Sequence, residues 1–407
     1  MILPGSAAVA AMSKSGFFSV SIVIILSSSV VTGSLTRGRG RGVIRDALNL
    51  SVRQEMATSR DCVYKRDTDN VCSGEDISFY YYTLKYTGEV PKVQRQRIEF
   101  TSPNWLHSSG WDHSLPTVLI VHGYGGIEQD YLPGNVLKDA YLNDGKYNVF
   151  AVDWSRLSAI PCYAAAVHNT KPVAKCVANA LTHLRTAGLN ADKLTCVGHS
   201  LGAHLCGITA NYLPFRMHRI IGVDPAKPLI PNRASGRLDP GDADVVQVIH
   251  ATARYGDLKR MGHVDFCLNG GHAQPFCSNA TNVELCSHVR SVCYLAESLD
   301  PETARKAEPC TRRCLQGGDG SGRRPVVNSF GQTPYVILGQ HMPDEVRGVY
   351  CVANLDAPYC SKTSVKGSPY CCPQPIPNVT GVTGGTLMDQ LSGDSITDQT
   401  LGIKEYN

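Results

Sequence analysis

The chain has 407 residues, of which 43% are hydrophobic and 18% are charged, enough for one large globular domain or two smaller ones. Its 39 basic and 35 acidic residues leave a formal charge of only +4, and no basic stripe is interleaved with aromatic residues, so nucleic acid is not an expected partner. The 16 cysteines lack zinc-ligand spacing and indicate disulfides formed in an oxidising compartment.

The N-terminus has the layout of a secretory signal. Lys14 precedes an apolar run from Phe17 to Val31, and small residues follow around Gly33. We therefore predict a signal peptide over residues 1–33 and a secreted, extracellular protein. A retained signal anchor is the alternative, although the run is short for a membrane-spanning helix. Either Met1 or Met12 could start translation.

Residues 34–75 form a predicted polar leader, and its basic segment Arg37–Arg41 is either a flexible linker or a lipid-surface patch. The main domain is predicted over residues 76–360. Residues 361–407 are rich in Cys, Ser, Gly and Thr and predict a flexible tail, held at its start by Cys371 and Cys372. Glycosylation sequons stand at Asn49, Asn279 and Asn378.

Short apolar runs alternate with stretches of helical spacing along the main domain. Strands are predicted at Phe79–Leu84, Pro116–His122, Tyr147–Trp154, Leu194–Val197, Arg219–Val223, Val245–His250, Pro334–Leu338 and Gly348–Ala353, and helices at Val173–Thr186 and Leu201–Tyr212. This alternation predicts an α/β domain with a mainly parallel sheet, in which reactive groups lie at the carboxyl ends of strands.

The sequence Gly198-His199-Ser200-Leu201-Gly202 joins a predicted strand to a predicted helix. Gly-x-Ser-x-Gly in this context indicates a nucleophile elbow, a turn so sharp that only glycine fits two residues before and after the serine. Ser200 is therefore the candidate nucleophile.

A serine nucleophile needs a base, and the base needs an orienting acid that in this fold class stands between them in the chain. Asp224 ends the next predicted strand and is the candidate acid. The competing carboxylates lie in a polar loop flanked by Pro and Gly, where solvated side chains are expected; they are Asp239, Asp242 and Asp244.

Five histidines follow Asp224 and could serve as the base: His250, His263, His272, His288 and His341. His288 is expected on a loop above the sheet, and His263 is the nearest competitor. Spacing alone leaves this choice open. The oxyanion donors are expected to be the backbone N–H groups of Leu201 and Tyr124, since Tyr124 lies in the glycine-rich loop after the first central strand.

The chain resembles the animal pancreatic-lipase family of the α/β-hydrolases, and is most similar to its arthropod branch of lipases and phospholipases A1. The matching motifs span roughly residues 76–360 and include His122-Gly-Tyr124, Val152-Asp-Trp154, Gly198-His-Ser-Leu-Gly-Ala-His204, Gly222-Val-Asp-Pro-Ala226, Leu238-Asp-Pro240, Val248-Ile-His250, Gly262-His-Val-Asp-Phe266, Asn269-Gly-Gly271, Gln274-Pro275, Cys286-Ser-His288 and Ala357-Pro-Tyr-Cys360.

The resemblance implies an α/β-hydrolase fold with Ser200, Asp224 and His288 as the catalytic residues. It implies the N–H groups of Tyr124 and Leu201 as the oxyanion hole. It also implies a lid loop closed by Cys277 and Cys286, and a further bridge between Cys72 and Cys162.

Two departures from the family pattern bear on substrate. The loop between Cys277 and Cys286 is short and polar, as in the phospholipases A1, whereas triacylglycerol lipases of the family carry a long amphipathic lid. Too few residues follow the main domain for the family's C-terminal β-sandwich, so dependence on colipase is not expected.

The expected substrate is a lipid ester at a membrane, micelle or lipoprotein surface, either a phospholipid or a triacylglycerol. The implied chemistry needs no metal or organic cofactor. A non-catalytic lipid- or yolk-type binding protein on the same fold, and a hydrolase of soluble esters, are the alternatives.

Overall fold

The computed structural model describes residues 61–72, 75–86, 91–98, 105–126, 132–275, 277–278, 280, 282–310, 314, 335–360, 368 and 370–371. The described strands are β1 Ser78–Tyr86, β2 Pro91–Arg97, β3 Thr117–Val121, β4 Asn148–Asp153, β5 Leu194–His199, β6 Met217–Val223, β7 Ala243–His250, β8 Val264–Leu268, β9 Lys306–Pro309, β10 Val336–Ile337 and β11 Gly348–Val352. The described α-helices are α1 Trp105–Ser108, α2 Leu132–Asp144, α3 Tyr163–Thr186, α4 Leu201–Ala210 and α5 Val283–Glu297.

These strands form one sheet in the order β10-β9-β11-β8-β7-β6-β5-β3-β4-β1-β2. The seven strands from β11 to β4 are parallel, and antiparallel strands are confined to the two margins. The centre of the sheet is apolar on both faces. In β3, for example, Leu119 and Val121 join one core cluster, while Val118 and Ile120 join the other.

Helices cover both faces of this sheet. The apolar side chains of α3 and α4 belong to the first cluster, and those of α2 and α5 to the second. A mainly parallel sheet between two helical layers, with a strand–turn–helix elbow at Ser200, is the α/β-hydrolase fold predicted from the sequence.

The register brings the carboxyl ends of the central strands level with one another. Val121 of β3 pairs with Gly198 of β5, which in turn pairs with Gly222 of β6. The loop after β3, the elbow after β5 and Asp224 after β6 therefore meet at one edge of the sheet.

The predicted bridge between Cys72 and Cys162 is wrong. Cys162 bonds to Cys62, and Cys72 bonds to Cys176. The reason is that the N-terminal segment runs alongside α3 in the same direction as the helix. Cys62 therefore meets Cys162 at the start of α3, and Cys72 meets Cys176, which lies 14 positions further on or about 21 Å along the helix axis.

Side chains of α3 fasten this segment between its two disulfides. Asn169 accepts a hydrogen bond from the Lys65 N–H at 2.9 Å and donates to the Val63 carbonyl at 2.8 Å, and Lys175 Nζ donates to the Asp67 carbonyl at 3.0 Å. The packed domain therefore extends N-terminal to the predicted boundary at residue 76.

Helix α3 begins at Tyr163, ten residues before the predicted start at Val173. Pro172 lies inside this helix and is buried. Cys162 and Cys176 stand at the two ends of the first half of α3, and their disulfides join this half of the helix to the N-terminal segment.

At the other end of the chain, Cys371 is buried and bonds to Cys293 of α5. The predicted signal peptide, the leader up to residue 60, Cys372, the rest of the tail and the sequons at Asn49, Asn279 and Asn378 lie outside the described residues. Within the part of the chain that the structure describes, no helix combines the length and apolarity needed to cross a bilayer.

Candidate active site

Ser200 occupies a strained backbone position between β5 and α4. Its φ of 58° and ψ of −121° lie where L-residues rarely occur, and its N–H donates to the Val223 carbonyl at 3.0 Å. The Ala226 N–H donates back to the Ser200 carbonyl at 3.2 Å. The elbow is therefore tied to the segment that carries Asp224, and the surrounding structure maintains the strain.

Both elbow glycines are required by close backbone contacts. A Cβ on Gly198 would lie 2.3 Å from the backbone of Gly202, and a Cβ on Gly202 would lie 2.2 Å from the Val121 carbonyl oxygen. The helix therefore starts directly against the ends of β3 and β5, which leaves no room for a side chain on either glycine.

Asp224 is fully buried and its carboxylate accepts four hydrogen bonds. Oδ1 accepts from the N–H groups of Ala251 at 2.7 Å and Thr252 at 3.1 Å, and Oδ2 accepts from Thr252 Oγ1 at 2.7 Å and His288 Nδ1 at 2.7 Å. Burial by itself raises the pKa of Asp224, but these hydrogen bonds and the charge of His288 outweigh it and hold the pKa below the usual value.

His288 lies within α5, not on the loop that the sequence suggested. The helix begins at Val283, and Asn282 caps it by accepting a hydrogen bond from the Leu285 N–H at 2.9 Å. From Asn282 the chain thus continues straight into a helix, and the first turns of α5 bring the imidazole to Asp224.

Two aromatic rings flank the His288 imidazole. The ring of His199, the residue before Ser200, lies 4.5 Å from it between centroids, and the Tyr255 ring lies 5.9 Å away. His199 Nε2 donates to the His288 carbonyl at 3.0 Å. Burial, and secondarily the charge of His288, lower the pKa of His199 to about 3, so this ring stays neutral beside a base that must gain a proton.

The candidate oxyanion donors lie on either side of the elbow. Leu201 is the first residue of α4, where N–H groups have no partner within the helix. Tyr124 lies in the loop after β3, whose Gly125 N–H donates to the Ser158 carbonyl at 2.8 Å. A Cβ on Gly126 would approach the His122 ring to 2.4 Å, so this loop too depends on glycine.

Cys277 and Cys286 form a disulfide, the pairing that the resemblance implies. It encloses a short lid segment, in which Asn279 lies outside the described residues. Asn282 Nδ2 donates to the Tyr255 hydroxyl at 3.2 Å. The end of the lid segment is therefore linked through Tyr255 to the ring of His288.

The other candidate bases and acids have different structural roles. His263 Nδ1 accepts from the Val246 N–H, and His341 Nε2 donates to the Leu299 carbonyl. Asp239 and Asp242 accept backbone N–H bonds within their loop, and Asp244 pairs with Arg216 on the surface. The expectation of a solvated side chain is wrong for Asp242, which is buried. His250 is bonded to Asp265. His272, in the turn after β8, is exposed.

Sequence reasoning missed the groups that hold Asp224. Ala251 and Thr252 were not singled out, although they directly follow the predicted strand that ends at His250. A polar residue just after the next parallel strand is the signal that could have found Thr252, because neighbouring strand ends meet at the same sheet edge. The disulfide between Cys196 and Cys206, which spans the elbow, was also not predicted.

Comparison with known proteins gives a consistent picture. A model of the Lipase family matches residues 54–315. Phospholipase A1 member A of Bos taurus is 32% identical over 270 residues, covering 63% of this chain and 58% of that protein. Pancreatic lipase-related protein 2 of Sus scrofa is 31% identical over 260 residues, covering 58% of this chain and 54% of that protein.

The match spans little more than half the length of these two relatives. An esterase structure from Pyrobaculum calidifontis is 15% identical, with a TM-score of 0.26 over 51% of this chain and 74% of that one. That score is too low to support the fold, which rests on the strand order and the elbow described above. The family match covers well over half of the chain, and the chain therefore belongs to the Lipase family.

Proposed function

We propose that the protein is a secreted serine carboxylester hydrolase that acts on lipid esters, with Ser200 as nucleophile, His288 as general base and Asp224 as orienting acid. One observation carries the proposal. A fully buried carboxylate holds His288 Nδ1 at 2.7 Å, and the same imidazole packs at a tilt against His199, the residue before the serine at a strained elbow. These contacts support the arrangement that acyl transfer requires.

In the proposed reaction, Ser200 Oγ attacks the ester carbonyl carbon as His288 Nε2 takes the hydroxyl proton. Asp224 keeps the remaining proton on Nδ1 and stabilises the imidazolium that forms. The N–H groups of Tyr124 and Leu201 stabilise the tetrahedral oxyanion. The imidazolium then protonates the departing alcohol, and water hydrolyses the acyl-enzyme by the same route in reverse.

The short disulfide-closed lid favours phospholipid over triacylglycerol as substrate. Its two cysteines are nine residues apart, which leaves little apolar surface to open at an oil interface. We therefore place phospholipase A1 activity first and triacylglycerol lipase activity second, in an arthropod-type branch of the family.

Two assays test this proposal. Purified protein should hydrolyse a short p-nitrophenyl ester, and Ser200→Ala should reduce this turnover to background. A folded wild-type protein without turnover would instead indicate a non-catalytic lipid-binding protein.

The second assay compares phospholipid liposomes with a triglyceride emulsion. Release of a lysophospholipid with its sn-2 chain intact is the expected result. Fatty acid released only from the emulsion would reverse the order of the two lipid substrates, and hydrolysis of neither would indicate a soluble ester.

A further inference from the structure

A buried ion pair lies one strand away from the proposed triad. His250, the last residue of β7, places Nε2 3.0 Å from Asp265 Oδ1 of β8, and each side chain is only 2% exposed. His250 is not the base of the proposed triad, because Asp224 is bonded to His288 instead.

The partners of His250 fix its protonation state. Nδ1 lies 2.6 Å from the Asp257 carbonyl oxygen, which can only accept a hydrogen bond, so Nδ1 carries a proton. Asp265 Oδ1, 3.0 Å from Nε2, also accepts from the Met261 N–H at 2.8 Å, and as a carboxylate it accepts from Nε2 as well. The two oxygen partners therefore favour the imidazolium form of His250, in which both ring nitrogens donate.

The charged neighbours of the ring agree with this state. Asp265 faces Nε2, and the carboxylate of Asp224 contributes from the end of β6. Arg260 is the opposing charge, with Nε 3.5 Å from Asp265 Oδ2. Burial lowers the pKa of His250, but the hydrogen bond and charge of Asp265 outweigh it, so the pKa lies above the usual 6.5.

The residue that His250 holds belongs to the loop that supports Asp224. The Asp257 N–H donates to the Pro225 carbonyl at 2.8 Å, directly after Asp224 in the chain. One residue earlier, the Gly256 N–H donates to Thr252 Oγ1 at 2.8 Å, and that hydroxyl donates to Asp224 Oδ2. A Cβ on Gly256 would lie 2.3 Å from the Asp224 carboxylate, so the loop packs directly on the acid.

We propose that His250 and Asp265 are positioning residues for the triad, whose charged pair locks the loop 251–257 so that Thr252 holds the Asp224 carboxylate against His288. This inference rests on the proposed function, because it names what keeps that same site in order. It also makes the site sensitive to alkaline pH through a group that never touches the substrate.

Loss of the His250 proton breaks one of its two hydrogen bonds. The remaining proton stays on Nε2, facing the carboxylate, so the Nδ1 lone pair then opposes the Asp257 carbonyl at 2.6 Å. Two acceptors at that distance repel, and the loop loses its anchor. The folded state holds the proton more tightly than the unfolded chain, so this support is complete at low pH and lost as pH rises through the pKa of folded His250.

The test is the pH dependence of kcat/KM on a short p-nitrophenyl ester in wild type, Asp265→Asn and His250→Gln. Asp265→Asn removes the charge that retains the proton, and should move the alkaline limb at least about one pH unit lower while leaving the acid limb in place. His250→Gln should lower kcat about tenfold, with little change in KM, and abolish that limb.

His218→Gln is the matched control. His218 also lies beside a carboxylate, with Nε2 3.5 Å from Asp344 Oδ2, but it is partly exposed and stands at the opposite end of β6. Its profile should follow wild type. Coincident alkaline limbs in wild type and Asp265→Asn would overturn the proposal.

A measurement on the wild-type protein covers the case in which a variant fails to fold or no esterase activity is found. Long-range ¹H–¹⁵N spectra should show both His250 ring nitrogens protonated in most molecules at about pH 6.5, where an ordinary histidine is half neutral. A neutral ring at that pH would refute the inference even in an active enzyme. If the ring is an imidazolium but the protein is inactive, the ion pair is supported and only the proposed function is rejected.

Discussion

The Thr252 hydroxyl stands between two partners that matter to the site. It donates to Asp224 Oδ2 at 2.7 Å and accepts from the Gly256 N–H at 2.8 Å. The same carboxylate oxygen accepts the hydrogen bond from His288 Nδ1. The orientation of the Asp224 carboxylate toward His288 therefore depends in part on Thr252.

Valine has nearly the shape of threonine but lacks the hydroxyl. Thr252→Val should therefore lower kcat on a soluble ester about tenfold, because Asp224 Oδ2 loses one donor and the Gly256 N–H loses its acceptor. Thr252→Ser keeps the hydroxyl and should stay within a few-fold of wild type. Equal losses in the two variants would show that the methyl group matters and the hydroxyl does not.

Asp224→Asn should have a much larger effect. The amide cannot hold a proton on His288 Nδ1 or stabilise the imidazolium, so we expect a loss of kcat of ~10⁴-fold. Circular dichroism checks that the fold is retained. Loss comparable only to that of Thr252→Val would contradict Asp224 as the orienting acid.

At the scale of elements, the β5–elbow–α4 unit is cross-linked within itself. Cys196 of β5 and Cys206 of α4 are both fully buried and bonded to each other, so the disulfide closes the strand and helix around Ser200. The unit therefore resists opening even if its contacts with neighbouring elements loosen.

Replacing both Cys196 and Cys206 by Ala should reduce the free energy of unfolding by ~3 kcal/mol and also lower kcat, because the elbow is then held only by packing. Removing the bond between Cys310 and Cys351, which links β9 to β11 at the margin of the sheet, is the control. It should cost stability with little change in kcat. Denaturant unfolding and ester hydrolysis measure the two effects, and an unchanged kcat in the elbow variant would contradict this role.

The elements most easily predicted were those whose two faces are buried. The runs that became β3, β4 and β5 are apolar without alternation, and their predicted bounds differ from the structure by one or two residues. The helix α2 was missed because Pro133 and Gly134 in its first turn hide its periodicity. The cysteine pairing could not be derived, since it depends on the N-terminal segment following α3, which no local pattern reveals.

The triad residues could be proposed from chain order and resemblance, but their support could not. Asp224 meets His288 across 64 residues, and its other donors come from a loop with no motif of its own. The His250–Asp265 pair joins neighbouring strands, and only the coordinates reveal that both ring nitrogens of His250 face oxygen atoms.

At the scale of the whole molecule, buried histidines govern the response to acid. Burial lowers the pKa of His204 to about 4 and that of His199 to about 3. His204 joins α4 to the Asp224 loop, with Nε2 donating to the Ala226 carbonyl at 2.7 Å and Nδ1 accepting from the Leu238 N–H at 3.1 Å. His204 cannot take a second proton without losing the bond from the Leu238 N–H, and burial opposes a charge on His199.

Stability should therefore fall as pH drops below about 6.5, because unfolded histidines bind protons there and these two do not. Each should contribute up to ~1.4 kcal/mol per pH unit between about 6.5 and its own lowered pKa. His204→Gln can preserve a donor and an acceptor and should make the decline shallower. Denaturant titrations between pH 7 and 4.5 test this, and an unchanged slope in the variant would argue against it.

The disulfides that hold the N-terminal segment to α3 have a consequence for biosynthesis. Cys62 and Cys72 bond to partners that follow 100 and 104 residues later, whereas Cys277 and Cys286 are only nine apart. As the polypeptide emerges from the ribosome, the first two thiols must wait for α3 while nearer thiols become available for incorrect pairing. Correct maturation should thus depend on an oxidoreductase that reshuffles mispaired intermediates, and a recombinant host with a reducing interior should leave most of these cysteines unpaired.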